Sequence, residues 1–113
     1  MLSGKRRVNK ALFPLILKKG RSFHSHNMSL KVLDTNDRDR ESKFAFVVSR
    51  KVAGKAHKRN LLRRRGYGAI GKILDPIRKG FVCAFFLRKG ANDLSYAQFE
   101  AEIIGLLKKA NII

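Results

Sequence analysis

The sequence predicts an α/β (α+β) two-layer sandwich with the element order α-β-β-α-β-α. Three observations predict it. Apolar residues recur at helical spacing in three separate stretches, two alternating segments and one continuous apolar run have strand length, and no internal repeat interrupts the series. The chain is 113 residues long, the size of one domain. A single domain over residues 1–113 is therefore expected, with 1–8 as a flexible basic N-terminal tail.

Phe13, Ile16, Leu17 and Gly20 fall at i, i+3, i+4 and i+7, which predicts a short amphipathic helix that stops at Gly20. Pro14 is tolerated if that helix starts near Phe13. From Met28 to Leu33 the chain alternates, with Met28, Leu30 and Val32 opposed to Ser29, Lys31 and Leu33, as in a strand with one wetter face. Phe44 to Ser49 repeats the alternation. Between them, Asp34, Asp37, Asp39 and Glu41 interleave with Arg38, Arg40 and Lys43 in a solvated loop, so the two strands are expected to pair antiparallel.

Lys55 to Leu74 reads as a helix, with Leu62, Ala69 and Ile73 on one face and Asn60, Arg64, Tyr67 and Gly71 on the other. Gly66, Gly68 and Gly71 weaken it, and Asp75-Pro76 ends it. Phe81 to Leu87 is apolar throughout and predicts a strand buried on both faces. Ser95 and Gln98 have capping-box spacing, and Leu94 with Phe99 has that of a hydrophobic staple. Phe99, Ile103, Leu106 and Ala110 then form the core face of a last helix.

Twenty-six Lys+Arg against 8 Asp+Glu leave a formal charge of +18, while 44% of residues remain hydrophobic. That apolar share supports a packed core. The longest apolar run, Phe81 to Leu87, falls far short of the roughly 20 residues of a membrane span. Lys5, Arg6 and Arg7 before an apolar stretch resemble a minimal export signal. However, Lys18, Lys19 and Arg21 follow with no small-x-small cleavage site, so a cytoplasmic location is expected. Cys83 is the single cysteine, which excludes an intrachain disulfide and suits a core thiol between Val82 and Ala84. His24-x-His26 lacks a convincing third ligand. No metal-ligating and no catalytic residue is expected in the chain.

So large a charge on so small a body favours a polyanionic partner, and nucleic acid is the densest. Solubility alone needs a charge of only about 2–8. The distribution is sharper than the total. The first 33 residues contain no acid, and Arg50, Lys51, Lys55, Lys58, Arg59, Arg63, Arg64 and Arg65 fall in a stretch with none. On a helix, Arg59 neighbours Arg63, and Asn60 neighbours Arg64. A guanidinium fork grips phosphates bidentately and stacks on bases. The Asn60 amide can read a base edge or a 2′-hydroxyl. An ordinary solvated helix face would mix signs.

Ser49-Arg50-Lys51-Val52, followed by Ala56-x-Lys58-Arg59-Asn60-x-x-x-Arg64-Arg65, resembles the signature of the bacterial ribonuclease P protein component. Phe13 to Gly20, Phe81 to Lys89 and the segment from Leu94 onward also resemble that family, so the likeness spans roughly residues 5 to 110. It implies a small mixed sheet with a left-handed β-α-β crossover, against the usual preference, as in the second domain of a small-subunit ribosomal protein. It implies the protein subunit of ribonuclease P, one copy per catalytic RNA. That assembly removes the 5′ leader of precursor tRNA by Mg²⁺-dependent hydrolysis, with Mg²⁺ held mainly by RNA.

By the same resemblance, Arg50, Lys51, Lys58, Arg59, Asn60, Arg63, Arg64 and Arg65 contact the catalytic RNA. Phe13, Leu17 and Lys31 line a leader cleft between sheet and first helix, with Arg88 and Lys89 near its rim. Leu61 stands where the family usually has arginine, and Lys31 and Leu17 where aromatic residues are common. Composition alone also fits a structural rRNA-binding protein of ribosomal type. A protein-only nuclease would need converging carboxylates, and a membrane-active peptide a single dominant cationic helix.

Overall fold

The computed structural model of the protein describes residues 4–8 and 10–113. Phe13–Lys19 forms helix α1, Arg21–His24 strand β1, Met28–Asp34 strand β2 and Lys43–Val47 strand β3. Ala56–Lys72 forms α2, Phe81–Leu87 β4 and Tyr96–Lys109 α3. The strands make one mixed sheet in the order β1-β2-β4-β3, antiparallel except for the parallel β3–β4 pair. α2 is thus the crossover of a β3-α2-β4 unit.

Two sequence expectations change here. β2 and β3 are not neighbours, because β4 lies between them and pairs with both. The physical reason is that β4 is the most apolar segment, buried on both faces except for partly exposed Phe86, and so takes a central position. The second change is β1, which the sequence reading missed. Only Phe23 of its four residues is shielded, too few to show a period.

Alternation along the strands divides the core. One sheet face carries Met28, Leu30, Phe44, Phe46, Cys83 and Phe85, covered by Leu62, Ala69 and Ile70 of α2 and Phe99, Ile103, Leu106 and Leu107 of α3. The other carries Ala45, Val82 and Ala84 under Ile16 of α1. α1 therefore packs on the face opposite the two long helices. Of the segment 1–8, residues 1–3 lie outside the described residues. Arg7 forms a parallel bridge with Phe44, and Val8 N donates to Phe44 O at 3.0 Å.

Gly66 faces the sheet, where a Cβ would lie 2.5 Å from the Phe46 ring. The glycine admits the helix to close approach rather than merely weakening it. Phe46 stacks on Phe85 with centroids 4.8 Å apart, and meets Tyr67 edge-on at 5.2 Å. Tyr67, expected on the outer face, is accordingly half-buried against the core. α3 begins as expected. Ser95 Oγ accepts from Gln98 N at 3.1 Å, and Gln98 Oε1 accepts from Ser95 N at 2.9 Å.

Acids fix loops. Glu102 of α3 accepts from Ser25 Oγ at 2.7 Å, Asn27 N at 2.9 Å and Asn27 Nδ2 at 2.9 Å, holding the β1–β2 turn. Asp34 accepts both ends of the Arg38 fork at 2.8 and 3.0 Å. Those bonds, with one from Asn36 N, lower its pKa to about 2.

Gly66→Ala should destabilise the protein by about 1–3 kcal/mol, because the ring has no room to yield. Gly71→Ala, with nothing within 4 Å of its Cβ position, should stabilise it by about 0.5–1 kcal/mol. Urea or thermal unfolding checks both. Cys83 is fully buried and burial pushes its thiol pKa up. It should therefore resist a thiol reagent in the folded protein and react once the chain is unfolded, as followed by mass spectrometry.

Candidate nucleic-acid interface

The basic segment begins where β3 ends. Ser49 O accepts from Val52 N and Ala53 N, each at 3.1 Å, so the chain turns sharply after Val48. Val52 and Ala53 are buried, whereas Arg50, Lys51, Gly54 and Lys55 are exposed. Two side chains tie the turn down. Asn92, in the 3-10 turn Lys89–Asp93, donates through Nδ2 to Val52 O at 2.5 Å and Lys89 O at 3.0 Å. Arg59 donates through Nη1 to Ala53 O at 3.0 Å and Gly54 O at 2.8 Å. Asn92 carried no signal in the sequence, since its importance lies in a contact 40 residues away.

α2 then leaves this turn with no acid in its first turn and no side-chain cap. Its inward residues pack on the sheet, so the remainder of the helix turns out. Asn60 and Arg64 are exposed, and Lys58, Arg59, Arg63 and Arg65 are half-buried along their stems. Asn60 Oδ1 accepts from Arg63 Nη2, which couples the two side chains. The eight residues Arg50, Lys51, Lys58, Arg59, Asn60, Arg63, Arg64 and Arg65 are thus brought to one turn and one helix. Among the described residues, ion pairs join Arg6 and Lys79 to Glu41, Arg38 to Asp34 and Lys72 to Glu100, and none involves these eight.

A second basic region lies on the α1 side of the sheet. Phe13 is half-buried beside Ile16, with Leu33 and Phe86 alongside, and Leu17 is 54% exposed. Lys31 opposes Ala84 in the β2–β4 register and so shares this face with Phe86, Ser29 and, across β1, Ser22 and His24. Phe86 is the strand phenylalanine that faces away from the main core; the uniform apolarity of β4 concealed it. Arg88 and Lys89 follow β4, both exposed. Arg88 is already engaged, donating to Ser25 O at 3.2 Å and lying 3.3 Å from His24 Nδ1. His24 and His26 are exposed. Among the described residues no three His, Cys, Asp or Glu side chains cluster to hold a metal ion. No helix among them is long and apolar enough to cross a membrane.

This arrangement is shared with known proteins. Residues 2–111 match the family described as Ribonuclease P. A ribonuclease P protein component from Synechococcus elongatus is 36% identical over 104 residues, covering 89% of this chain and 85% of that protein. One from Clostridium botulinum is 32% identical over 113 residues, covering 99% and 98%. The RNase P protein of Thermotoga maritima superposes with a TM-score of 0.81 at 26% identity, over 91% of this chain and 96% of that one. The RNase P protein of Staphylococcus aureus has the same fold, with a TM-score of 0.83 at 22% identity over 97% and 98%. The chain belongs to the ribonuclease P protein component family, the protein side of a tRNA-processing ribonucleoprotein.

Proposed function

We propose that this chain binds the catalytic RNA of ribonuclease P through the turn after β3 and the outer face of α2. The assembly then removes the 5′ leader of precursor tRNA. The observation that carries the reading is that these eight residues cluster on one turn and one helix, with none of them ion-paired among the described residues. Phosphates would release counterions on meeting such a surface. Arg50, Lys51 and Arg64 supply exposed charge. Arg59, Asn60 and Arg63, held by bonds within the protein, supply preorganised groups. Lys58 and Arg65 extend the surface at its edge.

The leader would lie across the α1 side of the sheet. Phe13, Leu17 and Phe86 offer apolar surface for bases, and Lys31 and Lys89 attract the backbone. Arg88 positions the β1–β2 turn as much as it offers charge. The hydrolysis would use Mg²⁺ held by phosphates of the RNA subunit and substrate, one protein serving one catalytic RNA. The donor set of the protein does not fit a Mg²⁺ site of its own, which calls for clustered oxygen ligands. Among the described residues no three acids cluster, and Glu102, Asp34 and Glu100 are engaged in a loop clamp and ion pairs.

Reconstitution tests this directly. The purified chain should leave labelled precursor tRNA intact, and should support cleavage at the mature 5′ end once its cognate catalytic RNA and Mg²⁺ are added. Cleavage by rigorously RNA-free protein would refute the division of roles. Arg64→Ala should weaken RNA binding, reduce the slope of log K against log salt by about 1, and leave the melting temperature within about 2 °C of the parent. Arg59→Ala should weaken binding and also lower the melting temperature, because it frees the turn at Ala53 and Gly54. Equal melting temperatures for the two variants would contradict the structural part of the Arg59 role.

A further inference from the structure

Leu61 and Tyr96 are large apolar side chains left 38% and 46% exposed. They belong to different elements but line one shallow depression of about 210 Å³, together with Arg64 and Arg65. Leu61, Arg64, Arg65, Gly68 and Lys72 follow one another at helical spacing along the side of α2 that meets the first turn of α3. Gly68 leaves room for the tyrosine, since a Cβ there would sit 3.1 Å from Tyr96 Oη. Lys72 Nζ sits over the ring, 5.0 Å from its centroid and 3.6 Å from Glu100, so one face of the ring is covered by a cation whose charge is already balanced and the other face is left for a base. Arg64 and Arg65, which line the depression beside the ring, make no ion pair among the described residues.

The geometry points to a nucleobase-stacking subsite, formed by Tyr96 with Leu61, Arg64 and Arg65, that takes one unstacked base of the RNA partner. It rests on the reading of α2 as the RNA-binding face and adds α3 to that face. A base presents a flat apolar surface with a phosphate on either side, which matches an exposed ring and leucine flanked by two open guanidinium groups. A protein partner is disfavoured. Two apolar side chains offer far less than the roughly 1,000 Å² that a specific protein interface buries, and the surrounding charge is of one sign.

The test compares the parent protein with Tyr96→Phe and Tyr96→Leu in binding to the cognate catalytic RNA across a salt series, with melting temperatures measured alongside. Tyr96→Phe should bind within about twofold of the parent. Tyr96→Leu should lose on the order of tenfold with an unchanged salt slope, because no cation is removed. Tyr96→Leu binding as tightly as the parent would overturn the subsite. So would equal losses in the two variants, or a loss fully explained by the unfolded fraction. If the parent itself binds without salt dependence, the reading of α2 fails and the subsite with it. If the parent binds steeply and Tyr96→Leu matches it, the subsite alone fails.

Discussion

The close approach of α2 to the Phe46 ring is the contact on which the rest depends. Gly66 permits it, and Leu62 and Ile70 bury around it. The stacked Phe85 beneath and edge-on Tyr67 beside it give Phe46 little freedom. Helix packing of this kind fixes rotation as well as position. With the inner side committed, Asn60 and Arg64 turn outward and are exposed. The start of the helix is held separately, by Asn92 on Val52 and by Arg59 on Ala53 and Gly54. The basic surface is therefore a rigid feature of the fold.

The second constraint is where the few acids go. Glu102 clamps the β1–β2 turn, Glu41 meets Arg6 and Lys79, Asp34 holds Arg38, and Glu100 meets Lys72. Glu41, Asp34 and Glu100 pair with cations and Glu102 with neutral donors, all away from the turn after β3 and the first half of α2. A net charge of +18 makes the folded state repel itself. The protein concentrates that repulsion on one surface, where a polyanion relieves it. If RNA is bound there as proposed, folding and binding are coupled in this electrostatic sense.

How much of this the sequence discloses differs by element. α3 is legible to the residue at its start, because a capping box and its flanking apolar residues are local signals. α1 and its stop at Gly20 are equally local. Sheet order is not local: nothing in Met28–Leu33 or Phe44–Ser49 says that β4 separates them, although the uniform apolarity of β4 hints at a central place. β1 escapes because one shielded phenylalanine in four residues makes no pattern. The helix opening at Ala56 is readable, yet Gly66 looks like a defect until the Phe46 ring is seen beneath it. For the basic surface, the sequence places the cations on one turn and one helix. It cannot distinguish exposed Arg64 from Arg59, whose guanidinium is bonded to two carbonyls. Tyr96 and Leu61 are 35 positions apart in sequence, so their meeting is visible only in three dimensions.

The most direct measurement is side-chain footprinting of lysines and arginines by mass spectrometry, on the free protein and on its complex with cognate catalytic RNA in the absence of precursor tRNA. Arg50, Lys51 and Arg64, all exposed in the free protein, should become strongly protected from modification. A complex in which these three remain as reactive as in the free protein would contradict it, because the RNA would then be held by some other surface.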